Sequence, residues 1–179
     1  MALGNFLPEE QDLLIGIFYR VGYWISHIDD TDLTDESEHK EQKQMEISLK
    51  KVAASKAATD LVQEIASEAL RRSGDQARWL RNADRLLEDV TKSVKLVHSN
   101  GTDEDMKSFR KSIMYVATSV ARAYREEPEE VAEESAFARL VGKAGALLTA
   151  VKDNETYQDQ NISPAEDTAL HELAAALRG

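Results

Sequence analysis

The amino-acid sequence predicts an all-α fold, a helical bundle of about six to seven amphipathic helices. Apolar residues recur at helical spacing along nearly the whole chain, and no segment alternates apolar and polar residues between glycine-rich turns as a strand hairpin does. The three prolines, Pro8, Pro128 and Pro164, all stand where a helix would start, and Gly74 and Gly101 stand where one would stop.

The first helix is expected from Pro8 to about His27, with Glu9 and Glu10 at its positive end and a stripe of Leu14, Ile17, Phe18, Val21, Ile25 and Ile28. Tyr19, Tyr23 and Trp24 lie beside or opposite that stripe, so this helix is apolar over more than half its circumference. It reads either as a central helix buried on most sides or as one whose Tyr23 and Trp24 line a groove or a dimer contact.

Thr34 is a candidate N-cap for a second helical region, Asp35 to Arg72, which contains no Gly or Pro. Its two stripes, Met45, Leu49, Val52 and then Leu61, Ile65, Leu70, do not share one register, which places a bend or break near Ala54-Ser55. Ser73-Gly74 ends it. Asp75 then caps a third helix with Trp79, Ala83, Leu86, Leu87, Val90, Val94 and Val97 on its buried face, and His98 to Gly101 reads as a turn. Thr102 opens a fourth, carrying Phe109, Ile113, Val116, Ala117, Val120 and Tyr124 inward. A fifth follows Pro128, with Phe137, Leu140, Val141, Ala144, Leu148 and Val151 as its stripe. Residues 152–162 are polar and expected as a loop, and Ser163-Pro164-Ala165-Glu166 is a capping box for the last helix.

The length of 179 residues suits one domain. Within it, Ile17, Phe18, Tyr19, Val21 and Ile25 correspond to Ile113, Met114, Tyr115, Ala117 and Ala121, which suggests two pseudo-repeats, 9–54 and 105–150.

Composition removes several function classes. A net charge of -11 disfavours nucleic acid and anionic membranes, which are bound by clustered Lys and Arg. The best basic grouping, Arg71, Arg72, Arg78, Arg81 and Arg85, is interleaved with acids. Without cysteine there is no disulfide, thiolate metal site or Cys nucleophile. Neither a secretory leader nor a membrane span is legible, and a cytoplasmic location is expected.

The densest chemistry follows the first helix. Asp29, Asp30 and Asp32 crowd a connection, and Asp35 and Glu36 open the next helix. Oxygen ligands at this density suit a hard cation, Ca²⁺ or Mg²⁺, although acids at a helix start also complement its dipole and face water. The segment is no EF-hand loop, having neither the sixth-position glycine nor the twelfth-position glutamate. Glu36-Ser37-Glu38-His39 has the Glu-x-x-His spacing of di-iron bundles but has no second copy. A further acidic run, Glu126 to Glu134, has the Glu-x-x-Glu spacing that binds magnesium in helical pyrophosphohydrolases, but no downstream acid precedes Asp153. No catalytic residue is identified.

The first apolar helix, Leu14 to Ile28, running into Asp29-Asp30-Thr31-Asp32-Leu33-Thr34-Asp35-Glu36 and then a helix with Met45, Leu49 and Val52, resembles the tellurite-resistance TerB-like helical domains. The likeness covers residues 13–53 and more loosely 113–148. His27-Ile28-Asp29-Asp30 stands where the family's alanine–aspartate–glycine turn would be. The resemblance implies an internally duplicated all-α fold with a cation-binding or signalling-scaffold role. The expected function is therefore a non-enzymatic interaction module for a protein partner or a second copy of itself, tuned by a divalent cation. The alternative is a metal-dependent hydrolase of the phosphohydrolase type, using carboxylates of the acidic turns.

Overall fold

The computed structural model describes residues 2–28, 35–123 and 162–179. Among them there is no strand. The α-helices are α1 (Pro8–Ser26), α2 (Asp35–Ala54), α3 (Asp60–Arg71), α4 (Gln76–Trp79), α5 (Leu86–Asn100), α6 (Asp103–Ala123) and α7 (Pro164–Arg178). The all-α bundle expected from the sequence is the fold observed.

Two helices hold the centre. Every residue of α1 from Leu14 to Gly22 is buried, as is every residue of α6 from Ser112 to Ala121. These two pack on each other, with Phe18 and Phe109 meeting edge to face at 5.8 Å between ring centroids. α2 lies against α3 and α6, while α5 packs between α1 and α7. Burial on most sides explains why α1 carries apolar residues beyond a single stripe.

Glycine sets two close approaches on α1. A Cβ on Gly16 would lie 2.7 Å from Cδ1 of Trp79, and one on Gly22 would lie 2.6 Å from Sδ of Met45. The missing side chains let the Trp79 indole seat on one face of α1 and let α2 approach another.

Helix starts follow the expected chemistry. The Leu7 N–H donates to Glu10 Oε2 at 2.9 Å, with Pro8 at the first helical position. Thr102 and Asp105 satisfy each other's N–H groups at 3.0 Å each, and Ser163 and Glu166 do the same at 2.8 and 3.2 Å. The break expected near Ala54-Ser55 is there, spanning residues 55–59 between α2 and α3.

Two expectations are corrected. The helix expected to run unbroken from Asp75 is divided: after α4, Leu80–Arg85 are 3-10 before α5 begins. Trp79 is anchored in the core, its Nε1–H donating to Asp12 Oδ1 at 3.3 Å, and the chain must tighten to bring Leu86 into the core at the far end. The turn expected at His98 to Gly101 is instead the last turn of α5, and only Gly101 leaves it, its N–H donating to Val97 O at 2.7 Å.

The expected fifth helix, the 152–161 part of the expected loop and the return half of the second pseudo-repeat lie outside the described residues. Ile17, Phe18, Tyr19, Val21, Ile25 and their counterparts Ile113, Met114, Tyr115, Ala117, Ala121 are all buried.

Candidate functional site

The C-terminal turns of α1 face α2 across a gap that Gly22 and Met45 keep narrow at its base. Toward the end of α1 the gap widens into a partly open cavity of about 260 Å³. Tyr19, Gly22, Tyr23, Ser26 and His27 line it from α1, and Gln42 and Met45 from α2. The spacing explains the set: positions 19, 22, 23, 26 and 27 fall on one face of a 3.6-residue helix, as do 42 and 45.

Tyr23 and His27, one turn apart, stack with ring centroids 3.8 Å apart and planes 26° from parallel. The imidazole is held at the helix end. Its Nδ1 lies 2.9 Å from Tyr23 O and 2.8 Å from Ser26 Oγ, and the Ser26 hydroxyl donates to the same carbonyl at 2.8 Å. A carbonyl oxygen only accepts, so the Tyr23 contact puts a proton on Nδ1 and leaves Nε2 as the acceptor of the neutral ring. The Tyr19 phenol is pushed above the ordinary tyrosine range, first by burial and then by the nearby Glu46 carboxylate.

Of the interaction residues expected from the sequence, Tyr23 is thus a wall of the cavity. Trp24 is half-buried against the core and does not line it. Among the proposed metal ligands, Asp29, Asp30 and Asp32 lie outside the described residues. Asp35 and Glu36 begin α2, but their side chains lie outside the description. The acidic run Glu126 to Glu134 is outside it as well. Among the described residues no three His, Asp or Glu side chains are grouped to hold a metal ion.

His27, Gln42 and Tyr19 were not singled out for this cavity by sequence. The helical spacing of Tyr19, Tyr23 and His27 was legible, but nothing in the sequence says which face of α1 α2 covers.

The other polar cluster is structural. Asp12 Oδ1 accepts from Arg72 Nη2 at 2.6 Å and Arg78 Nη2 at 2.5 Å, and the Arg72 guanidinium sits 5.6 Å from the centroid of Trp79. Hydrogen bonding from Arg72 holds Asp75 below the usual carboxylate range. This network ties the start of α1 to the α3–α4 connection. Arg71 pairs with Glu68 and Arg85 with Glu88, so four of the five arginines once grouped as a basic patch are engaged by acids. No helix among the described residues is long and apolar enough to cross a membrane.

The chain matches no family model, no curated protein and no solved structure.

Proposed function

We propose that this chain is a non-enzymatic, cytoplasmic interaction module that engages a protein partner at the cavity between α1 and α2. The observation that supports the reading is that aromatic-walled cavity, lined by the helix that precedes Asp29, Asp30 and Asp32 in the sequence. A preformed concavity on a chain of charge -11 suits a partner bearing a complementary basic surface. The likeness to TerB-like domains points to the same region, and divalent-cation tuning by Asp29, Asp30, Asp32, Asp35 and Glu36 belongs to this reading.

The test has two arms. Chelator-stripped protein is melted with and without Ca²⁺ or Mg²⁺, since a ligand bound only by the folded state raises the melting temperature with saturation. A selective, saturable rise that Asp30→Asn/Asp32→Asn abolishes supports cation tuning, and an equal small rise with every salt removes it. In the second arm, cross-linking in cell extract compares wild type with Tyr23→Ala. A partner lost from the variant supports the reading, whereas the same cross-linked species from both proteins overturns it.

A further inference from the structure

The lining of the α1–α2 cavity narrows what it accepts. Tyr23 and His27 present stacked rings, and Tyr19 adds a phenol. Among the described residues that line it there is no lysine or arginine. With Nδ1 committed to the Tyr23 carbonyl, the His27 imidazole offers an acceptor at Nε2, and Gln42 supplies an amide oxygen. Glu46, one turn beyond Gln42 on α2, is close enough to make Tyr19 harder to ionise, so a negative field falls on that wall. Ring faces attract a cation within ~6 Å, and the acceptors suit its N–H groups. At about 260 Å³ the cavity is smaller than the ~300–1,000 Å³ usual for small-molecule and cofactor pockets, a size that suits one extended side chain.

We propose that this cavity is a subsite for a single lysine or arginine side chain presented by a basic segment of a protein partner. The proposal rests on the reading of the chain as an interaction module and supplies the chemistry of its contact. The aliphatic stem packs on Met45, and the charged head meets the Tyr23 face that His27 leaves uncovered, the Tyr19 ring, Nε2 of His27 and the field of Glu46. An isosteric neutral side chain keeps the stem contacts and loses the rest.

The experiment follows the tyrosine and histidine ring resonances of the full chain by NMR. The protein is titrated with N-acetyl-lysine amide, N-acetyl-arginine amide and the neutral N-acetyl-norleucine amide. Saturable shifts at Tyr23 and His27 are expected with the cationic probes, and binding about tenfold weaker with norleucine, the upper range of a partly desolvated cation–ring contact. Tyr23→Leu is expected to weaken the cationic probes severalfold. Glu46→Gln removes only a charge from a half-buried position; it should weaken the lysine probe and leave norleucine unchanged. Equal binding of norleucine, or no shift with any probe on folded wild-type protein, overturns the subsite. So does butylammonium binding as tightly as a short lysine-containing peptide, because the site would then take free amines. Failure of the probes with a Tyr23-dependent protein partner still captured removes the subsite alone. Specific probe binding without any such partner removes the interaction module and leaves the subsite.

Discussion

At the scale of single residues, the two glycines of α1 make a contrast that can be measured. Replacing a helical glycine by alanine ordinarily gains ~1 kcal/mol of helix propensity. At Gly16 the new methyl would lie 2.7, 2.9 and 3.0 Å from three atoms of the Trp79 indole, a rigid ring whose N–H is engaged by Asp12. At Gly22 it would meet the Sδ and Cγ of Met45, a side chain with three rotatable bonds. Overpacking costs ~1–3 kcal/mol, most against a rigid ring, so after the propensity gain Gly16→Ala is expected to lose up to about 2 kcal/mol net in urea denaturation, and Gly22→Ala to stay within about 1 kcal/mol of wild type. Gly22→Ala should nevertheless reduce binding at the cavity, because the displaced Met45 side chain lines it. An unchanged Gly16→Ala protein would mean that the indole seat yields freely.

Asp105 carries a second residue-scale prediction. Burial acts to raise its pKa, but hydrogen bonds from the Thr102 N–H and the Thr102 hydroxyl, at 3.0 and 2.9 Å, oppose it, and the carboxyl is held below its ordinary 3.8. A lowered folded-state pKa stabilises the fold above the unfolded value and stops doing so as pH falls through the folded one. The stability gap between wild type and Asp105→Asn is therefore expected to be constant above about pH 5 and to shrink below about pH 4. A gap that widens in acid would show the opposite sign and remove the assignment.

At the scale of elements, caps and breaks were differently legible. Ser163-Pro164-Ala165-Glu166 was readable as a helix start because both partners of the box are local, three residues apart, and the structure forms both hydrogen bonds. Ser163→Ala should cost about 1 kcal/mol in denaturant unfolding, with the loss confined to stability since α7 lies away from the cavity lining. The division at Leu80–Arg85 was not readable, because no Gly or Pro marks it. Its cause is the Trp79 anchor against Gly16 and Asp12, more than sixty residues earlier in the chain. The end of α5 was misread for a related reason: Ser99 and Asn100 favour turns in isolation, yet the helix continues to Asn100 before Gly101 stops it.

At the scale of the whole molecule, charge decides more than shape. With 33 acidic and 22 basic residues the folded chain repels itself, so moderate salt should raise the melting temperature from its low-salt value by screening. The same salt should weaken capture of a lysine-bearing partner, chiefly by slowing association. A melting temperature indifferent to salt would mean that the acids are already matched locally, as Asp12, Asp75, Glu68 and Glu88 are by their arginines. Leu7 is the sole large apolar side chain strongly exposed among the described residues, so these residues form no broad apolar patch and the proposed contact would rest on the cavity and on charge.

Among the described residues, the sequence by itself determined the helical class, the buried stripes and most helix starts, because periodicity, proline position and capping pairs act over a few residues. It also marked Tyr23 and Trp24 as candidates for a groove or contact, and of the two only Tyr23 is among the described residues that line the cavity. What only the tertiary structure decided was which faces meet: that α2 closes on α1 over Gly22, that Tyr19, Tyr23 and His27 then wall a cavity with Gln42 and Met45, and that Trp79 breaks its own helix to reach Gly16. Those outcomes depend on contacts between residues far apart in the chain, whose partners a local pattern does not name.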